Sequence, residues 1–119
     1  MSDKISTYIV EDYMLARITF EQALNQYDEI EVKNSFESGE DCINALEKEL
    51  VQVVVMDIGL PYMTGIEATK IIKEKFPSVK VIMLTSHDKQ DEIVSSFASG
   101  ANGYALKDIS MNKLHDAIV

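Results

Sequence analysis

The run at 51–56, Val-Gln-Val-Val-Val-Met, constrains this chain more than any other feature. It ends on Asp57 and is followed at once by Ile58-Gly59-Leu60-Pro61. A short run this rich in β-branched residues reads as a strand. Its near-continuous apolarity means that both faces of that strand are covered. Gly59-Leu60-Pro61 then marks the strand end and a turn. A second run of the same character lies at 79–84, with shorter ones at 5–10, 30–32 and 103–106. Strands covered on both faces belong to a parallel sheet between two layers of helix, so the expected class is three-layer α/β/α with five strands.

The stretches between these runs carry helical spacing. Residues 14–27 place Met14, Ile18, Ala23 and Leu24 near one face, and 39–50 place Cys42, Ile43, Leu46 and Leu50 together. Residues 65–76 turn Ile66, Ala68, Ile71, Ile72 and Phe76 inward, and 90–99 do the same for Ile93, Val94, Phe97 and Ala98. A last helix from Ser110 or Met111 offers Leu114, Ala117 and Ile118. Ser38 and Thr64 are placed to cap the second and third helices, with an acid three residues on in each case. Phe76-Pro77 closes the third helix, and Gly100 ends the fourth. Strands alternating with helices imply right-handed crossovers. There is no internal repeat, linker or low-complexity segment.

Composition narrows the partners. With 11 Lys+Arg against 20 Asp+Glu, the formal charge is −9, which argues against a segment that grips nucleic acid itself. One cysteine, Cys42, allows no internal disulfide and suits a reduced, cytoplasmic setting. It sits in a helical pattern as a small apolar filler. No run of about 18 apolar residues offers a membrane span, and the first residues lack an apolar signal region. At 119 residues the chain fits one domain.

Open α/β sheets collect their functional groups at the carboxyl ends of the strands. Those ends carry Glu11-Asp12, Asp57, Thr85-Ser86 and Lys107. Taken singly these have ordinary readings: a helix cap, a strand exit, a solvated lysine. Taken jointly they put three carboxylates, a hydroxyl and an ammonium at one rim. Three crowded carboxylates stay ionised together only beside a compensating cation, and an all-oxygen donor set favours a hard ion such as Mg²⁺. Asp12, Asp57 and the Gly59 carbonyl are candidate ligands, with Glu11 binding directly or through water. An aspartyl carboxylate can accept a phosphoryl group covalently. Lys107 and the Thr85 hydroxyl can then meet its oxygens.

The chain resembles the receiver domain of two-component response regulators over essentially its whole length. The residues that carry the resemblance are Val10-Glu11-Asp12; the stretch from Val55 to Gly65, including Asp57-Ile58-Gly59-Leu60-Pro61; Leu84-Thr85-Ser86; and Gly100-Ala101-Asn102-Gly103-Tyr104-Ala105-Leu106-Lys107-Asp108. That last stretch is most similar to the NarL/FixJ subfamily, whose receivers precede a LuxR-type helix-turn-helix. The resemblance implies a flavodoxin-like (βα)5 fold. It implies that Asp57 accepts a phosphoryl group from the histidine of a kinase or phosphotransfer protein, with Mg²⁺ held by Glu11, Asp12, Asp57 and the Gly59 carbonyl. It assigns Lys107 and Thr85 to the phosphoryl group and a conformational switch to Thr85 and Tyr104. It assigns output, and a possible homodimer, to the fourth helix, fifth strand and fifth helix, about residues 90–119.

Three further expectations follow. Gly59 offers no side chain to shield a phosphoryl group and His87 lies two residues past Thr85, so both are expected to tune dephosphorylation. The fifth helix stops at Val119 before a cap, so a DNA-binding effector domain is expected beyond this chain; a stand-alone receiver acting through protein contacts is the alternative. The domain is expected to be a phosphoacceptor with self-phosphorylation and self-dephosphorylation only, not an enzyme of turnover. A haloacid dehalogenase-type phosphatase would need a second Asp where Gly59 stands. A flavodoxin-like electron carrier would need a phosphate loop where Glu11-Asp12-Tyr13 stands.

Overall fold

The structure is a computed structural model that describes residues 4–86, 90–108 and 110–119. The chain runs β1 (Ile5–Val10), α1 (Met14–Asn25), β2 (Ile30–Phe36), α2 (Gly39–Lys48), β3 (Val53–Asp57), α3 (Gly65–Lys75), β4 (Lys80–Thr85), α4 (Gln90–Ala98), β5 (Gly103–Leu106) and α5 (Met111–Ile118). The strands form one parallel sheet in the order β2-β1-β3-β4-β5. Side chains alternate across it. Tyr8, Val10, Val54, Met56, Val81 and Met83 pack with residues of α2 and α3. Ile9, Val53, Val55, Ile82 and Leu84 pack with Phe20 and Leu24 of α1 and Leu114 and Ile118 of α5. The expected three layers are present.

The helix punctuation is as the sequence implies. Ser38 accepts from Asp41 N–H, and Thr64 and Glu67 complete a reciprocal capping box. Ser110 caps α5 by accepting from Lys113 N–H. Gly100 has φ +103°; its N–H bonds Phe97 O while Ala101 N–H reaches Ser96 O. That pair of bonds is a Schellman ending, which calls for a residue at ease in the left-handed region.

Several facing assignments are corrected. In α1, Met14 (63% exposed) and Ile18 (41%) face outward, while Phe20 is buried. Apolar residues surround this helix, so spacing alone could not choose its inner face. In α4, Val94, Phe97 and Ala98 are exposed and Ser96 is fully buried. Ser96 can be buried cheaply because its hydroxyl donates to Glu92 O one turn back, at 2.7 Å. Leu50 is exposed because α2 ends at Lys48 and Glu49 turns extended, which delivers Val51 to the core instead. Strand β2 runs to Phe36 rather than ending at residue 32. A register shift between Thr7 and Tyr8 leaves Lys33 as an extra residue, a bulge tolerated on an edge strand.

Helix α5 is pinned to the corner between α1 and β2. His115 stacks on Tyr27 with ring centroids 4.3 Å apart, lies 3.2 Å from Glu29 Oε1 and 3.1 Å from Asp116 Oδ1, and Tyr27 donates to Asn112 at 2.7 Å. Asp116 chiefly, with Glu29, raises the imidazole above its ordinary value of 6.5 against the opposing effect of burial. The folded state therefore holds this proton more tightly than the unfolded state. The contribution is full below pH 6.5 and is lost as pH rises through the raised value. His115→Gln is expected to remove that part of the pH dependence of the melting temperature, measured between about pH 5 and 8. Parallel profiles for the two proteins would refute it.

Candidate functional site

In this strand order β1 is followed by β2 on one side, while β3 lies on its other side. The crevice at the carboxyl ends of β1 and β3 is therefore the topological switch point, where open α/β sheets bind ligands. β3 delivers Asp57 there as its last residue, 3% exposed, and β1 delivers Glu11 one residue past its end, 1% exposed. Glu11 is fixed from several sides. Its N–H bonds Phe36 O at 2.9 Å, its carbonyl accepts from Arg17 Nη1 at 2.8 Å, and its Oε2 accepts from Tyr13 N–H at 3.0 Å. Asp12 is exposed beside it. Ligand oxygens of Glu11, Asp12 and Asp57 lie within 4.8 Å of one another, as the sequence implied.

The loop after β3 holds Asp57 in place. Ile58 N–H bonds Leu84 O at 2.9 Å and Gly65 N–H bonds Ile58 O at 3.0 Å. Gly59 N–H donates to Asp57 Oδ1 at 3.1 Å. Lys107, just past β5, has its own N–H on Thr85 O at 2.7 Å. Its ammonium lies 3.1 Å from Asp57 Oδ2, as a hydrogen bond, and 2.7 Å from Glu11 Oε1. The second contact is ionic and off the hydrogen-bonding directions, so this buried oxygen has no hydrogen-bond donor among the described residues. Burial raises the Glu11 carboxyl above its ordinary range, and the Asp57 charge adds to this against the pull of Lys107 and Tyr13 N–H. Burial lowers Lys107, but Glu11 and Asp57 outweigh it and hold the ammonium above its usual value.

A buried carboxylate oxygen with a charge partner but no hydrogen-bond donor, in an all-oxygen donor set, fits a hard divalent cation such as Mg²⁺. Glu11, Asp12 and Asp57 would hold it. Thr85 is 3% exposed at the end of β4, and its hydroxyl lies 3.4 Å from Glu92 Oε1 on α4. Tyr104, on β5 beside Met83 in register, is half-buried against the same side of the sheet. His87 lies outside the described residues. Two features escaped the sequence reading. Arg17 reaches back to the Glu11 carbonyl, which no motif signals. Tyr62, at the rim of a cleft of about 310 Å³ shared with Asp12 and Ser38, is 95% exposed and has φ +65°. A positive φ is uncommon for a bulky residue and favours Gly or Asn.

Fold and site together define a doubly wound α/β domain with an acidic pocket, closed by one lysine, at its switch point. The chain belongs to the response regulator receiver domain family, whose sequence pattern matches residues 7–119. It is 34% identical over 116 residues to the transcriptional regulatory protein DegU of Brevibacillus brevis, covering 98% of this chain and 49% of that protein. It is 32% identical over 114 residues to the response regulator protein VraR of Staphylococcus saprophyticus, covering 96% of this chain and 54% of that protein. The chain thus spans about half the length of the curated relatives it matches. Among solved structures, a LuxR-family DNA-binding response regulator from Staphylococcus aureus superposes with a TM-score of 0.89 at 27% identity, covering 96% of this chain and 95% of that one. A CheY-like receiver domain protein from Methanospirillum hungatei gives 0.88 at 25%, covering 97% and 90%. The chain is a receiver domain of the kind that two-component response regulators carry. No helix among its described residues is long and apolar enough to cross a membrane.

Proposed function

We propose that Asp57 is the phosphoacceptor of this receiver, taking its phosphoryl group from the phosphohistidine of a kinase or phosphotransfer protein in the cytoplasm. The observation that carries this is the state of the Asp57 carboxylate: buried, with Oδ1 held by Gly59 N–H and Oδ2 by Lys107, and Glu11 and Asp12 within 4.8 Å. Mg²⁺, held by Glu11, Asp12, Asp57 and the Gly59 carbonyl, would supply the charge that lets a dianionic phosphoryl donor approach this pocket. Lys107 neutralises charge on the transferring group, and Thr85 donates to one of its oxygens. Gly59 presents no side chain toward Asp57, so water access there is set by the loop, with His87 assigned a share in tuning the lifetime.

Phosphorylation replaces the single charge of the Asp57 carboxylate with a group of roughly −1.5 to −2 charge that carries new acceptor oxygens. The Thr85 hydroxyl, 3.4 Å from Glu92 Oε1 in this structure, would gain a phosphoryl oxygen as a new acceptor in that state, and a differential contact of this kind shifts a two-state equilibrium. Tyr104 follows Thr85 on the same side of the sheet, passing the change to the face made by α4, β5 and α5. That face serves a homodimer or an effector domain of helix-turn-helix type, through which the full protein controls transcription. The domain is a substrate for one phosphorylation, with self-phosphorylation and self-dephosphorylation as its only activities and no turnover of an external substrate.

Incubation with acetyl phosphate and Mg²⁺, followed by intact-mass measurement, is expected to show one added phosphoryl group, which does not form when the metal is chelated beforehand. No uptake from any small phosphodonor over a range of Mg²⁺ concentrations would overturn this reading.

A further inference from the structure

Lys107 does more in this pocket than wait for a phosphoryl group. Glu11 and Asp57 have four carboxylate oxygens between them. Backbone N–H groups of Tyr13 and Gly59 take Glu11 Oε2 and Asp57 Oδ1, at 3.0 and 3.1 Å. The Lys107 ammonium takes the other two, Glu11 Oε1 at 2.7 Å and Asp57 Oδ2 at 3.1 Å. The oxygens best placed to receive a divalent cation are thus those that the ammonium already neutralises. Glu11 matters because of its length: its extra methylene, relative to aspartate, carries Oε1 to Lys107 while Oε2 stays on the Tyr13 amide. Glu11 is 1% exposed, whereas the Lys107 side chain is 28% exposed. The carboxylate is therefore confined, and the ammonium has room to withdraw.

We propose that Lys107 is a built-in competitor for the metal, and that Glu11 is the residue over which the two cations compete. In the metal-free protein Lys107 compensates Glu11 and Asp57 together. Loading the pocket displaces the ammonium from Glu11, since like charges at such separations in a partly buried site repel strongly. Lys107 is left to the Asp57 side, where a phosphoryl group would arrive. Glu11 thus acts as a positioning residue for Lys107 as well as a metal ligand, and metal loading and correct placement of the ammonium become one event. This rests on the metal-binding reading of the pocket given above.

The test is Mg²⁺ affinity, measured by calorimetry and by the Mg²⁺-dependent rise in melting temperature, with no phosphodonor present. Lys107→Met keeps the apolar stem and removes the competing charge; it is expected to bind Mg²⁺ about tenfold more tightly than wild type. Glu11→Asp keeps the carboxylate but loses the reach to Lys107, and so covers the case in which Lys107→Met does not fold. It too is expected to bind more tightly, by several-fold. In the double variant the second substitution is expected to add nothing, because the competition is already gone. Unchanged or weaker Mg²⁺ binding in both single variants overturns the proposal. Absence of Mg²⁺ binding in wild type and every variant overturns the underlying metal reading instead.

Discussion

Asp57→Asn is expected to abolish phosphoryl uptake while leaving the fold in place. The carboxamide has the shape of the carboxylate, and its oxygen can still accept the Gly59 N–H that now bonds Oδ1 at 3.1 Å. What it lacks is the nucleophilic anion and one negative charge in a pocket crowded with carboxylates. Loss of the Lys107 contact at 3.1 Å costs stability, and relief of repulsion from Glu11 and Asp12 restores some. The two terms oppose, so the net change is expected to stay within about 1 kcal/mol, as for a substitution that leaves no cavity and no unpaired buried charge. Intact mass after incubation with acetyl phosphate and Mg²⁺ should show no adduct, and the thermal midpoint should stay close to that of wild type. An adduct of normal yield on the variant would remove Asp57 from the acceptor role. A collapsed melting temperature would mean that the loss of uptake reports folding.

Much of this site could be read before any coordinates, and the reason is physical. A β-branched run covered on both faces permits few placements, so 51–56 fixed the sheet interior and put Asp57 at its carboxyl edge. Lys107 and Thr85 followed from the same logic, because parallel strands all end on one rim. Helix caps were legible since they depend on residues adjacent in sequence, as Ser38 with Asp41 and Thr64 with Glu67 illustrate. The facing of α1 and α4 was not legible. Met14, Ile18 and Phe20 compete for the inner side of α1, and only packing into the cluster that includes Ile9 and Val55 on that face of the sheet decides for Phe20. In α4 a buried serine displaced the apolar residues that spacing favoured, through a bond to its own helix. Likewise nothing in Glu11-Asp12 says that the first is buried and the second exposed. That division depends on Phe36 at the end of β2, Tyr13 at the cap of α1 and Arg17 within α1.

Gly65 shows how a residue that looks like punctuation can control the position of Asp57, and Gly65→Ala is the second substitution with a large expected effect. Gly65 opens α3 after the Thr64 cap, and its N–H is bonded to Ile58 O at 3.0 Å. A Cβ built on it would stand 2.8 Å from both the carbonyl carbon of Asp57 and the Cα of Ile58, and nearer still to the Asp57 carbonyl oxygen. These are backbone atoms tied into β3, so no side-chain rotation can relieve the contact. Either α3 retreats from the sheet or the end of β3 moves. The first opens the core at Ala68 and Ile72; the second shifts Asp57 against Lys107 and Gly59. The expected cost is about 3 kcal/mol, at the upper end for forced overpacking, and a fall in melting temperature of about 10 °C for a domain of this size. The surviving folded fraction is expected to take up phosphoryl groups at least about tenfold more slowly, because displacements near 1 Å at a reacting group are costly. Gly59→Ala is the matched control: its Cβ would meet only Asp57 Oδ1, at an ordinary 3.9 Å, and the thermal midpoint should barely move. Equal stability of the two variants would show that close approach of helix and strand at Gly65 does not hold the acceptor in place.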